Sequence, residues 1–191
     1  QGGTDVLQVT ITNAATGAYT VTQLASIDHP LGDGENNLGF TINYTLTDSD
    51  GDSVPGTLAI NIDDDTPTVS SVQTGGTLDE EGLLGGNIGE SYVSGDAPGS
   101  NVILNGTLNY SFGADGASPS GGITFATTGL PTLTAGGAPV NYVWNASTNT
   151  FVGYTGADAT LQANWVFTLV VTNILSGAYT FQLLQPMDHS L

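Results

Sequence analysis

FTINYTLT, residues 40–47, sets Phe40, Ile42, Tyr44 and Leu46 against Thr41, Asn43 and Thr45 in strict alternation. A period of two puts the four apolar side chains on one face of an extended chain, which is the pattern of a half-buried strand. The same period recurs at Leu58-Ile60-Ile62, Leu108-Tyr110-Phe112, Val140-Tyr142-Trp144, Trp165-Phe167-Leu169-Val171 and Tyr179-Phe181-Leu183. Turn chemistry separates these runs, as in Gly113-Ala114-Asp115-Gly116 and Ser120-Gly121-Gly122, because Gly and Asn accept positive φ. No window sustains a helical period. The expectation is an all-β chain built as an antiparallel β-sandwich.

Charge narrows the function. The 191 residues contain no Lys or Arg and 18 Asp plus Glu, for a formal charge of −18. Only 9% of residues are charged, against about 25% in an ordinary soluble domain. With no cation to neutralise phosphate, nucleic acid is excluded as a partner, and anionic membranes fail on the same ground. Like charges oppose compaction unless cations offset them. A hard divalent ion with oxygen ligands suits carboxylates best, and calcium is the expected cofactor. The 39% apolar content separates this chain from a disordered acidic tail. Its length allows one or two domains. The absence of cysteine removes disulfides and thiolate sites. No apolar run approaches the ~18 residues that span a bilayer, so membrane insertion is not expected. The strand-like opening suggests a piece of something longer.

An internal repeat organises the chain. VLQVTITNAATGAYTVTQLASIDHPL, residues 6–31, aligns without gaps with VFTLVVTNILSGAYTFQLLQPMDHSL, residues 166–191, a shift of 160 with 11 identities in 26 positions. The chain therefore spans one period plus an overlap. A boundary falls near residue 67, where Asp63-Asp64-Asp65-Thr66-Pro67 ends a strand in an extended, carboxylate-rich linker. Residues 1–67 read as the C-terminal part of one repeat, and 68–191 as most of the next. The first part has too few strands to close a sandwich alone, leaving completion to 68–191 or to a neighbouring chain.

Six of the 18 acids lie between positions 48 and 65. Asp48, Asp50 and Asp52 are spaced by two around Gly51, and three carboxylates so close repel unless a cation sits among them. The spacing starts like an EF-hand loop, but the Gly and the closing Glu are misplaced, so it is not one. The competing reading is a solvated hairpin loop. Asp63, Asp64 and Asp65 mark the junction, and Asp79, Glu80 and Glu81 follow before Gly82; a cation between the groups would fix the angle between modules, where the alternative is a solvated acidic linker. His29 and His189 lie one repeat apart, so they do not form one site, and Asp-His at a strand end reads as a turn-stabilising hydrogen bond. Trp144, Trp165, Tyr142 and Tyr154 read as core, with a sugar-stacking platform as the alternative for any that face outward.

Several segments together resemble the repeats of giant RTX-type biofilm adhesins exported by type I secretion. They are GAYTVTQLASIDHPLGDGEN and its copy SGAYTFQLLQPMDHSL, then FTINYTLTDSDGDS, INIDDDTPTV, LDEEGLLGGN and FGADGASPSGGITFA. The resemblance implies tandem Ig-like or cadherin-like sandwiches with calcium at and near their junctions, secreted to a bacterial cell surface. It also implies a role as an extender that holds a terminal binding region away from the cell. The ligands it implies are Asp48, Asp50, Asp52, Asp63, Asp64, Asp65, Asp79 and Glu81. Where the family often has Asp-Glu-Asp-Gly, this chain has Asp79-Glu80-Glu81-Gly82, with a longer third ligand. The partners implied are neighbouring repeats of the same polypeptide.

Enzymatic function is not expected. Without Lys, Arg or Cys, and with its two His a repeat apart, the chain is left with carboxylate-only chemistry such as glycoside hydrolysis. The acids cluster in turns, with no paired acid in an apolar segment. Two alternatives remain beside the spacer: a ligand- or sugar-binding module, and self-assembly in which 6–31 and 166–191 exchange as strands between copies.

Overall fold

A computed structural model describes residues 3–30, 34–70, 75–86 and 101–189. The described residues form antiparallel strands, turns and two single 3-10 turns, at Glu80–Gly82 and Gln162–Asn164. The chain is all-β, with the layered antiparallel character of a sandwich. It divides into two compact units, Gln1–Thr68 with Ser111–Gly116, and Val69–Tyr110 with Ala117–Leu191.

The first unit holds two hairpins, β1 (Leu7–Asn13) with β2 (Ala18–Gln23), and β3 (Leu38–Thr47) with β4 (Ser53–Ile62). In the second hairpin Leu38, Phe40, Ile42, Tyr44 and Leu46 pair with Ile62, Ile60, Leu58, Gly56 and Val54. Side chains alternate across a sheet, so one face is apolar and the other carries Thr, Asn, Ser and Pro. A Cβ on Gly56 would lie 2.3 Å from Cζ of Tyr44, so the ring covers a position where only glycine leaves room.

Short strand β5 (Thr68–Val69) follows, then β6 (Ile103–Thr107) and β7 (Tyr110–Ser111), which pairs with β5. A small hairpin joins β8 (Thr134–Ala135) to β9 (Ala138–Pro139). The second unit is built on a five-stranded sheet in the order β10 (Asn141–Asn145), β11 (Thr150–Tyr154), β12 (Trp165–Asn173), β13 (Ala178–Leu183), β6. Its registers place Tyr142 beside Gly153, Gly153 beside Phe167 and Phe167 beside Leu183. One step along, Trp144, Phe151, Leu169, Phe181 and Leu104 form the next row of the same face. The rings interlock: Phe167 stacks on Phe181 at 5.1 Å between centroids, Tyr142 stacks on Phe151 at 5.8 Å, and Phe125 tilts against Trp144 at 5.1 Å. Leu78, Leu83, Phe125, Leu133, Ala135, Val140 and Met187 pack against the same cluster. Two glycines again lie beneath aromatic rings, Gly153 under Phe167 and Gly106 under Tyr179, where a Cβ would meet the ring at 2.4 and 2.5 Å.

Alternation at Leu108–Phe112 predicts a strand that the chain does not form as such. β6 ends at Thr107, the Leu108 amide bonds the Gly177 carbonyl at 2.9 Å, and the Tyr110 hydroxyl donates to the Ile174 carbonyl. Strand β11 escapes an alternation reading for the opposite reason. Phe151, Val152 and Gly153 are all buried, and a strand covered on both faces carries no polar counterpoint.

The sequence repeat is also a structural one. The β1–β2 ladder pairs Leu7 with Gln23 and Asn13 with Ala18, with an irregularity between Ile11 and Asn13. The β12–β13 ladder pairs Phe167 with Leu183 and Asn173 with Ala178, with the irregularity between Val171 and Asn173. Each partner is displaced by the same 160 positions. Both turns are closed alike, with Asn13 Oδ1 accepting the amides of Ala15 and Thr16, and Asn173 Oδ1 those of Leu175 and Ser176. Gly17 and Gly177 both have φ of 71°.

Candidate metal centre

Asp48, Asp50 and Asp52 occupy the tip of the β3–β4 hairpin. Thr47 pairs with Ser53, and the Asp48 amide donates to the Asp52 carbonyl at 3.0 Å, closing the loop immediately above the ladder. Gly51 turns the chain at φ 101°, a left-handed value that other residues adopt only with strain. Asp48 Oδ1 accepts the amides of Gly51 at 3.1 Å and Asp52 at 2.9 Å. This local folding places one oxygen from each of the three carboxylates within 4.8 Å of the others, all exposed. Oxygens this close are within reach of a single cation with oxygen ligands. The Asp48 carboxyl is held below the usual Asp range, first by its hydrogen bond with Asp50 and then by the Asp52, Asp50 and Gly51 amides, against partial desolvation. Carboxylates gathered this closely repel one another unless a cation lies among them.

The remaining sequence candidates sit elsewhere, and among the described residues only the Asp48 group brings three such ligands together. Asp65 Oδ2 accepts the Ala114 amide at 2.9 Å, holding the Ser111–Gly116 turn to the first unit, and Asp64 Oδ1 accepts the Asp65 amide at 2.9 Å. Asp63 is exposed immediately after β4. Asp79 caps the Glu80–Gly82 turn, its Oδ1 accepting the Glu81 amide at 3.0 Å. Its Oδ2 is buried without a hydrogen-bond partner among the described residues, a state that costs free energy until the oxygen finds a partner. Glu81 is half-buried in the same turn.

Two further acids hold the second unit together. Glu80 Oε1 accepts the Met187 amide at 2.7 Å and lies 3.4 Å from Nε2 of His189. Asp188 accepts the Gly136 and Gly137 amides at 3.0 and 2.8 Å, clamping the β8–β9 turn. The Asp-His pair is thus a turn clasp. A hydrogen bond from Thr134, then the Gly137 and Gly136 amides and the nearby His189, hold the Asp188 carboxyl below its usual range. Because folding lowers this pKa, the clamp contributes stability above the unfolded value of 3.8 and loses it as pH falls through the lower folded value. Absolute stability against pH mixes this with relief of repulsion among all the acids. The difference between wild type and Asp188→Ala isolates it. Asp188→Ala is expected to lower the melting temperature at pH 7, and the gap to wild type should close below pH 3.8. A gap of constant size across that range would mean the clamp is not ionic.

No family model, curated protein or solved structure matches the chain.

Proposed function

We propose that this chain is a calcium-stabilised structural extender segment of a secreted bacterial cell-surface adhesin, without catalytic activity of its own. The carrying observation is the hairpin tip, where three exposed carboxylates lie within one ion's coordination span. The repeated hairpin supports the tandem architecture that an extender needs, since each repeat adds length without adding chemistry. Calcium at Asp48, Asp50 and Asp52 would neutralise the densest charge in the chain, and the junction acids Asp63, Asp64 and Asp65, with Asp79 and Glu81, are the further ligands of this reading. A spacer of this kind is stiff where calcium is millimolar and loose where it is scarce. The same −18 charge then keeps the chain extended before export.

A second reading has its own observation. A shallow groove of about 540 Å³ on the second unit is lined by Trp165, Gln162, Gln182, Gln185 and Thr168, with no charged residue. An aromatic ring among amide side chains suits a neutral sugar. Calorimetric titration separates the two. Calcium is expected to bind the full chain with at least one site that Asp50→Asn weakens about tenfold or more, with magnesium a poor competitor. A flat calcium titration, together with heat on adding oligosaccharides that Trp165→Ala removes, would replace the extender reading with the sugar-binding one.

A further inference from the structure

Hairpin β1–β2 is the twin of β12–β13 in ladder, bulge and turn, yet the two live in opposite surroundings. Val166 is 0% exposed and Val6 43%; Val171 is 3% exposed and Ile11 69%; Tyr179 is 8% exposed and Tyr19 49%. What buries the second copy is known residue by residue. Strand β6 adds to the β13 edge, with Gly106 under Tyr179 and Asn105 bonded to Thr180 at 2.7 Å. Strand β11 adds to the β12 edge, and the β8–β9 hairpin and Leu83 cover the apolar face. Beyond the hairpin, Asp188 takes the turn amides of Gly136 and Gly137, and Glu80 takes the Met187 amide. The first copy keeps the matching groups, Asp28 for Asp188 and Ile27 for Met187. Among the described residues its sheet has two strands only.

We infer that the apolar face and both edges of β1–β2 form a docking surface for one occupant, a second copy of segment 69–164. That copy's β6 would pair with β2, its β11 with β1, and its β8–β9 turn would receive Asp28. Charge agrees with the choice, because strands β6 and β11 contain no acidic residue and bring none to this acidic chain's exposed sheet. The copy's own β12–β13 does not give way to the visitor. Phe167, Phe181 and Leu183 correspond to Leu7, Val21 and Gln23, so the swap would leave voids and a polar group in the core. The docking surface therefore accepts a half-unit whose closing hairpin is β1–β2 itself, so that pairing at both edges of this hairpin completes one repeat. This deepens the tandem-repeat reading and rests on it for the existence of a second copy.

The test keeps the full unit intact and adds the occupant. A tandem chain is made by joining a copy of residues 69–164 ahead of Asp5 in 5–191, preserving the order in which Trp165 follows Asn164. Amide hydrogen exchange of Leu7–Gln23 is compared with that in the original chain, both in the same millimolar calcium. Slowing by at least ~100-fold is expected, short of the rates of Phe167–Leu183 because Leu7, Val21 and Gln23 fill that core less completely. Register is tested by a disulfide, which a chain without cysteine permits cleanly. Thr180 faces Asn105, so Thr20→Cys with Asn105→Cys in the added copy should oxidise readily, and Thr22→Cys with the same partner, two residues out of register, should not. Unchanged exchange, or equal oxidation of both pairs, overturns the proposal. Calcium titration of the original chain reads the extender hypothesis separately, so the two failures remain distinct.

Discussion

Phe167→Ala is expected to destabilise the second unit by about 3–5 kcal/mol, and Gly153→Val by about 2 kcal/mol. Phe167 lies across Gly153 and cannot step aside, because it stacks on Phe181 at 5.1 Å and tilts against Phe151 and Tyr142 at 6.3 Å each. A Cβ at position 153 would meet the ring at 2.4 Å, well inside contact distance. Valine favours strands over glycine by up to ~1 kcal/mol, so local preference predicts a gain where the clash predicts a loss. The clash is the larger effect. Urea unfolding of the two single variants and the double variant decides the matter. The double should cost clearly less than the sum, because valine then occupies space the ring has left. A Gly153→Val chain as stable as wild type, or strict additivity, would mean the ring does not hold the glycine in place.

Legibility in the sequence followed locality. Phe40 to Leu46 could be read at once because β3 and β4 are amphipathic, and an amphipathic strand writes its two faces into alternate letters. Strand β11 could not, because both its faces are covered and Phe151-Val152-Gly153 shows no period. Leu108 to Phe112 shows the reverse error: the letters alternate, but Leu108 and Tyr110 are drawn off by bonds to the β12–β13 turn. The acids divide in the same way. Asp48, Asp50 and Asp52 converge through bonds spanning three or four residues, which spacing alone can foresee. Glu80 reaches Met187 across 107 positions and Asp188 reaches Gly136 across 52. No local pattern carries such a partnership. For Asp188, the one available signal was its return as Asp28 a repeat earlier.

Removing calcium with a chelator is expected to lower the melting temperature of the chain, and Asp50→Asn provides the sharper form of that experiment. An ion present at ten times its dissociation constant stabilises the folded state by about 1.4 kcal/mol, and sites of extracellular modules bind in the range ~0.1–1 mM. Each occupied site at millimolar calcium therefore contributes a measurable shift, and several sites add. Simple screening also raises the melting temperature of an acidic chain, since the Debye length shortens from ~10 Å at 0.1 M salt to ~3 Å at 1 M. Chelation must accordingly be compared at matched ionic strength. Asp50→Asn separates the two effects by sign. Without calcium it removes one of three mutually repelling carboxylates within 4.8 Å, so it should raise stability; with calcium it removes a ligand, so it should lower stability relative to wild type. Screening alone cannot reverse sign between the two conditions, because the substitution relieves repulsion in both. A variant that is stabilised equally with and without calcium would show these carboxylates to be merely solvated, and the proposed extender function would lose the observation that carries it.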